Sequence, residues 1–292
     1  MQDFTDKLVV ITGAASGVGR SLAIAMAEEG ARVLAADIDE AGLEETKAAL
    51  DATGAINYIR MCDVTSQESV DALALQAFDD LGGAHLVFAN AGIAAGEAGP
   101  LWGYSESDWK WCFEVNLWGV VHTINAFMPR LDDLAEEAHF VITGSGNGAF
   151  IVYPDQPVYT ATKAAVQAVT EALYLQTAAQ QSAVKVHALF PGPNIVDTGI
   201  FDSDRVRPPR FEKSEDAPDS GIHSAEDMRR MMEEYGMELK TTHPDEVAQM
   251  ALEGIRKDQF WILSLNPGSE AQIKARMDSI LKRENPPIPS LG

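Results

Sequence analysis

The sequence predicts an α/β fold, a single doubly wound parallel sheet, from three observations. Short β-branched apolar runs alternate with amphipathic helical stretches from Lys7 to Phe190. A glycine-rich turn, Thr12 to Gly19, joins the first run to the first helix. No Pro-, Gly- or Ser-rich linker divides the 292 residues, so 1–292 reads as one domain. Alternating strands and helices imply right-handed crossovers, and these make the strands parallel.

Lys7–Thr12 (KLVVIT) is a continuous apolar run, as expected for a strand buried on both faces. Gly17–Gly30 follows with Leu22, Ala23, Met26 and Ala27 at helical spacing. Ala31–Ala36 is a second strand, Glu40–Ala52 a helix, Ile56–Met61 a third strand and Ser66–Leu81 a helix. His85–Ala89 is the fourth strand, Ser107–Met128 one long helix and His139–Thr143 the fifth strand. Pro157–Gln180 is a helix, and Val184–Phe190 is a sixth strand stopped by Pro191-Gly192. The regular alternation then lapses. Residues 193–243 are too long for a structureless connection, so they read as an inserted substrate lid with one or two helices, including Glu226–Tyr235. A helix from Pro244 to about Lys257, a last strand Phe260–Leu265, and a helix Ser269–Lys282 with its tail to 292 complete a Rossmann-type architecture.

A net charge of −22 argues against nucleic acid and anionic membranes as partners. The two cysteines, Cys62 and Cys112, make neither a disulfide framework nor a zinc site and read as packing residues. The six histidines show no ligand spacing, and no metal is expected. Acidic lid residues such as Asp197, Asp202, Asp204, Glu212, Glu215 and Asp216 read as a solvated loop. The N-terminus lacks the features of a signal peptide and no apolar run is long enough for a span, so a cytoplasmic enzyme is expected.

The glycine turn sits where a dinucleotide pyrophosphate binds. Gly13, Ser16, Gly17, Val18 and Gly19 bring backbone close to the phosphates, and the helix N-terminus supplies N–H groups. Asp37, ending the second strand, can accept from the adenosine ribose hydroxyls and would repel a 2′-phosphate. Neither Ser16 nor Ile38 supplies an arginine for that phosphate, so NAD is favoured over NADP. Asp63-Val64 reads as an adenine contact or, for the aspartate, a helix cap. Asn90-Ala91-Gly92 lets the cofactor lie against the fourth strand, with Asn90 also able to tie strands together.

Tyr159 and Lys163, four residues apart, share one helix face. An ordinary phenol has a pKa near ~10. An ammonium about 4 Å away could stabilise the phenolate by roughly 4 kcal/mol at an effective dielectric of 20, before desolvation. Lowering the pKa by two units needs only about 2.7 kcal/mol. Such a pair can exchange a proton with a substrate hydroxyl near neutral pH.

Taken in order, Thr12–Gly19, Asn90–Gly92, Asn116, Gly144-Ser145, Tyr159–Lys163 and Pro191-Gly192 resemble the motifs of the short-chain dehydrogenase/reductase family. The resemblance covers about residues 4–265. It implies that Tyr159 is the general acid/base and that Lys163 tunes it and holds the nicotinamide ribose. It further implies that Ser145 binds the substrate oxygen and that Asn116 anchors a water in a proton relay. Pro191, Gly192 and Ile195 would flank the nicotinamide, with Thr198 at its carboxamide. Ser145 stands one residue farther from the tyrosine than is usual in the family, and Thr198 follows Pro191-Gly192 later than usual. Pro191-Gly192-Pro193 and Arg207-Pro208-Pro209-Arg210-Phe211 are similar to bacterial Cα-dehydrogenases of lignin-derived β-aryl ethers. Family likeness also implies a homodimer or homotetramer through the Ser107–Met128 and Pro157–Gln180 helices.

Phe150, Tyr153, Phe201, Phe211 and Met237, with Trp102 as a further candidate, are expected around the nicotinamide, forming an apolar pocket for a bulky, aromatic or apolar secondary alcohol. Two alternatives stay open. One is a hydroxysteroid or 3-oxoacyl reductase of the same fold, against which Asp37 weighs because it disfavours NADPH. The other is a catalytically idle dinucleotide-sensing protein, against which the joint presence of Asn116, Ser145, Tyr159 and Lys163 weighs.

Overall fold

A computed structural model describes residues 1–94, 99–213, 220–234 and 236–288. Its seven-stranded sheet has the order β3-β2-β1-β4-β5-β6-β9, with every pairing parallel. The strands are β1 (Leu8–Thr12), β2 (Arg32–Asp37), β3 (Asn57–Met61), β4 (Leu86–Ala89), β5 (Ala138–Thr143), β6 (Val184–Phe190) and β9 (Trp261–Leu263). Strand order reverses between β1 and β4, which opens a crevice at the carboxyl ends of these strands.

Alternation along each strand splits the core into two layers. Val9, Ile11, Val33, Ala35 and Phe88 pack with Leu22, Met26, Leu252 and Ile255 on one face. Leu8, Val10, Leu34, Val87 and Phe140 pack with Leu73, Phe127, Leu131 and Val166 on the other. The first layer is covered by α1 (Gly17–Glu28), α2 (Glu40–Thr53) and α9 (Pro244–Arg256), the second by α3 (Gln67–Leu75), α5 (Gly119–Asp133) and α7 (Pro157–Gln180). Ser21 donates to Asp245 at 2.6 Å, joining α1 to α9. The capping box of His243 and Glu246, with Pro244 in the first turn, starts α9 where the sequence places it. His139 on β5 and His187 on β6 are buried and bonded ring to ring at 2.8 Å, as packing residues. No described helix is long and apolar enough to cross a membrane.

The helix expected at Ser107–Met128 starts with α4 (Glu106–Phe113), passes through a π turn at Glu114–Trp118 and ends as α5. A π turn widens the helix locally and re-aims the side chains it carries, and here it carries Asn116. The helix expected at Ser66–Leu81 likewise ends in a π turn, Gln76–Asp80. A short distorted helical turn, α6 (Gly146–Ala149), precedes α7.

The lid segment holds more order than its composition suggests. It contains a 3-10 helix at Gly199–Val206, another at Pro209–Phe211, and α8 (Ala225–Glu234). The two-residue strands β7 (Ile195–Val196) and β8 (Thr241–Thr242) pair in parallel and close its base. Tyr235, Glu215 and Asp216 fall outside the described residues. The last helix, α10 (Pro267–Lys282), begins two residues earlier than expected because Asn266 caps it, and it ends at Arg283 in a left-handed conformation.

Candidate active site

The crevice over β1 and β4 is assembled by side chains that brace backbone. Thr46 of α2 donates to the Ala14 carbonyl at 2.8 Å, and Arg20 of α1 reaches Thr46 at 3.0 Å and the Ala15 carbonyl, so the glycine turn is fixed from below. Gly19 must be glycine, because a Cβ there would lie 2.0 Å from the Gly13 carbonyl oxygen. Ser16 starts α1 without a side-chain capping bond, which leaves the first-turn N–H groups to a ligand. This bare, close-packed turn with an uncapped helix start fits a dinucleotide pyrophosphate.

Asn90 ties strands together, as expected. Its amide nitrogen donates to the carbonyls of Thr12 and Gly13 at 3.1 and 3.3 Å, and its Oδ1 accepts from Thr143 at 3.0 Å. One side chain just after β4 thus locks the carboxyl ends of β1 and β5. Ala91 donates its N–H to Thr12 Oγ1 at 3.2 Å.

Asp37 ends β2 facing the glycine turn. Its carboxylate accepts from the N–H groups of Ala15 at 2.9 Å, Ile38 at 2.7 Å and Asp39 at 3.0 Å. Burial pushes its pKa up, and those N–H groups pull it back. A carboxylate has about four acceptor sites, so one remains for a ribose hydroxyl, on Oδ2. Asp63 accepts from the N–H and hydroxyl of Thr65 at 3.0 and 2.7 Å. Val64 is buried against Gly119, with His122 held at 2.8 Å from its carbonyl.

The catalytic candidates come from three elements. Lys163 is buried, and its Nζ donates to the Thr143 carbonyl at 3.0 Å. Burial pushes its pKa down to about 8. Its Nζ lies 5.8 Å from the centroid of the half-buried Tyr159 ring. Asn116, fully buried, accepts from the Ile93 N–H at 2.8 Å and donates to the Ile93 carbonyl at 3.0 Å and to Thr162 Oγ1 at 3.0 Å. Thr162 in turn donates to the Tyr159 carbonyl at 2.7 Å, so the amide links the strand-four loop to the tyrosine helix. Cys112 packs beneath at 3.2 Å from the same amide nitrogen. Gly92 lies in the same cluster: a Cβ there would stand 3.4 Å from both Asn116 Oδ1 and Lys163 Nζ.

Ser145 N-caps α6, its Oγ accepting from the Asn147 N–H at 3.2 Å. Buried Asn147 holds the loop between serine and tyrosine. It donates to Gln156 at 3.1 Å and accepts from Thr160 at 2.8 Å, the residue after Tyr159. Sequence reasoning missed Asn147, Gln156, Thr160 and Thr162. Their signal, polar residues inside or beside a helix, resembles ordinary helix-end chemistry.

Downstream of β6, Pro191 and Gly192 lead into Ile195, which pairs with Thr241. Asn194 donates its N–H to Thr242 at 3.2 Å, fixing this stretch beside the crevice. Thr198 lies over the glycine turn: a Cβ on Gly17 would stand 2.8 Å from its side chain. Val18 packs partly buried on the core beneath.

The substrate candidates divide. Tyr153 is half-buried, and burial together with Asp155 raises its phenol pKa, keeping it a neutral hydrogen-bonding group. Phe201 and Met237 are half-buried in the lid. Phe150 differs from expectation by packing on Phe190 and Trp261, ring centroids 4.7 and 5.8 Å away, at the outer strand β9. Phe211 is buried against Ile93 and Trp111, which makes it an anchor of the lid. Trp102 is 89% exposed and makes no pocket wall.

The anchor has a second part. Arg207 pairs with Asp108 at 2.7 Å, both side chains buried, and its guanidinium lies 4.6 Å from the Trp111 ring centroid. Removing one partner of a buried pair strands the other charge and costs about 3–5 kcal/mol. Arg207→Ala is expected to free the lid locally. Tryptic cleavage between residues 198 and 213 should accelerate by about tenfold or more, with the main thermal transition little changed; unaltered cleavage would show that the pair anchors nothing.

The comparisons with known proteins agree with this geometry. The short chain dehydrogenase family model matches residues 7–207. A 1-deoxy-11-beta-hydroxypentalenate dehydrogenase of Streptomyces exfoliatus is 32% identical over 97% of this chain and 92% of its own. A short-chain dehydrogenase/reductase of Burkholderia phymatum, solved in complex with NAD, superposes with a TM-score of 0.88 at 35% identity, covering 99% of both chains. LigO of Sphingobium sp. strain SYK-6, solved in its apo form, gives 0.75 at 25% identity over 97% of this chain and 90% of its own. Glycine turn, strand-locking asparagine, Asn116, Ser145, Tyr159 and Lys163 thus stand on the sheet of related oxidoreductases: the chain is an enzyme of the short-chain dehydrogenase/reductase family.

Proposed function

We propose that the enzyme interconverts a bulky, apolar or aromatic secondary alcohol and its ketone, using NAD. The observation that carries this is the buried Lys163 ammonium, held at the Thr143 carbonyl one helical turn from Tyr159. Gly13, Ser16, Gly17, Gly19, Asp37, Asp63, Val64, Asn90 to Gly92 and Lys163 would hold the dinucleotide, which when bound supplies the hydride acceptor. Tyr159, as a phenolate stabilised by the Lys163 ammonium, takes the hydroxyl proton at its phenol oxygen and becomes neutral while the hydride leaves the alcohol carbon. Ser145 holds the substrate oxygen from its second side. Asn116 would anchor a water through which the proton passes from Lys163 toward solvent.

Asp37 supports NAD, because its spare acceptor site suits a ribose hydroxyl and its charge opposes a 2′-phosphate. The solved relative bound to NAD points the same way. Half-buried Phe201, Met237 and Tyr153 support a large apolar substrate. The hydroxypentalenate dehydrogenase supports oxidation of a bulky alcohol, as does the resemblance to β-aryl-ether Cα-dehydrogenases. A cytoplasmic homodimer or homotetramer belongs to the same proposal. Trp118, Tyr174 and Leu175, exposed on the π turn before α5 and on α7, supply apolar surface for it.

A panel of aryl, polycyclic and aliphatic secondary alcohols, read by NADH absorbance, tests the proposal. Turnover is expected with the bulky members, and NADP should be at least about tenfold poorer, as an opposed 2′-phosphate demands. A clear preference for NADPH, or turnover of linear 3-oxoacyl thioesters alone, would overturn it.

A further inference from the structure

The lid begins as a strap laid across the carboxyl ends of four strands. Thr198 sits on Gly17, after β1. Arg205 lies 3.8 Å from Asp39, after β2. Arg210 pairs with Asp63 at 3.1 Å and donates to Thr65 Oγ1 at 2.6 Å, after β3. Ser203 accepts the Ala94 N–H at 3.2 Å, after β4. These strand ends carry the glycine turn, the ribose carboxylate and the adenine-edge aspartate. The strap therefore covers the dinucleotide side of the crevice, whereas its sequence reads as substrate lid. Arg207 and Phe211 fasten it independently, so Arg205 and Arg210 are not needed to hold it down.

Arg210 is the member best placed to meet the cofactor. Asp63 Oδ1 is engaged by both Thr65 donors, and Arg210 holds Oδ2. Burial alone would raise the Asp63 pKa, but the bonds from Thr65 and Arg210 outweigh it and hold the carboxyl below its ordinary value. The carboxylate therefore stays ionised, with one acceptor site left on Oδ2 beside the guanidinium. An acceptor next to a planar donor matches an aminopurine edge, where an exocyclic amino donor adjoins a ring-nitrogen acceptor. A guanidinium also stacks on π faces in a way that a lysine cannot. Arg210 is about half exposed. Such a pair adds little to fold stability, so its removal leaves the fold in place and binding can be read cleanly.

We infer that Arg210 is a binding residue for the adenine end of the dinucleotide, delivered by the strap and acting with Asp63. The inference rests on the dinucleotide reading above and gives a role to a residue outside the six ordered motifs that carry the family resemblance. The probes are ADP-ribose and nicotinamide mononucleotide, each titrated calorimetrically into wild-type enzyme and Arg210→Ala. Loss of a charge-assisted contact should weaken ADP-ribose by about tenfold. Nicotinamide mononucleotide affinity should be unchanged. Equal or tighter ADP-ribose binding in the variant would overturn the inference, because Arg210 would then merely occupy the Asp63 oxygen. Equal losses for both probes would overturn it too, since a general closing role affects both halves. No ADP-ribose binding to wild type would instead remove the dinucleotide reading itself.

Discussion

Tyr159→Phe is expected to lower kcat for alcohol oxidation by about 10²–10⁴, the usual contribution of a positioned general acid/base. The exchange removes one oxygen and keeps the ring. Tyr159 is half-buried on α7, and the links from Thr162 run to its backbone carbonyl, which the variant keeps. Helix, Asn116 bracket and Lys163 contact to Thr143 should all persist, so thermal stability and ADP-ribose affinity should match wild type. KM for the alcohol should move far less than kcat, because the hydrogen bond proposed from Ser145 to the substrate oxygen is retained. Loss confined to kcat would mark an interaction that develops in the transition state. The pH profile gives a second readout: the dependence ascribed to the phenol should be absent from the residual rate. Steady-state NADH formation across pH decides it, and unchanged turnover in the variant would remove the tyrosine from the chemistry.

What the sequence made legible follows from the range of the interactions. The β1–turn–α1 unit is local: a change from continuous apolar run to helical periodicity, with glycines between, is visible within twenty residues. The strand ends Asp37, Asp63 and Asn90 were placed by the same logic. The Asn116 π turn was not, because nothing in Glu114–Trp118 distinguishes an α from a π register; the widening is set by bonds to Ile93 and Thr162. The contacts that seat the strap were not legible for a related reason. Arg207 and Asp108 stand 99 positions apart, and Arg210 and Asp63 stand 147 apart. Only the folded sheet brings them together. Phe211 was assigned to the pocket because it is aromatic and lies in the lid, yet aromatic character says nothing about direction, and Trp111 offers it a drier place. The longer serine-to-tyrosine spacing was readable, but Asn147, which holds the intervening loop against Thr160, was not.

Lys163→Met separates the two roles of the lysine, because they depend on pH with opposite sign. The folded-state pKa is about 8, against 10.5 ordinarily. From pH 8 to 10.5 the unfolded chain therefore holds a proton that the folded chain has released, and stability rises with pH wherever the unfolded state binds more protons. Below pH 8 the buried ammonium carries its full desolvation cost, about 3 kcal/mol for a shift of this size. The methionine variant has no such cost at any pH. Leaving the Thr143 carbonyl without its donor takes back about 1–3 kcal/mol, so the variant should be close to wild type in stability at pH 7 or somewhat above it. The sharper expectation is the trend: wild type should gain about 3 kcal/mol on the variant between pH 7 and 10.5, measured by denaturant unfolding. Catalysis should move the other way. Without the ammonium the phenolate loses its stabilising charge, and kcat/KM at pH 7 is expected to fall by about 100-fold, the size of a general acid/base contribution. That deficit should shrink as alkali ionises the phenol directly. A deficit independent of pH would assign the lysine to cofactor positioning alone, and parallel stability curves would mean that its charge is not desolvated in the fold. Together, a stability cost present at low pH and a catalytic gain present at the same pH describe a cation kept buried for the phenol it serves.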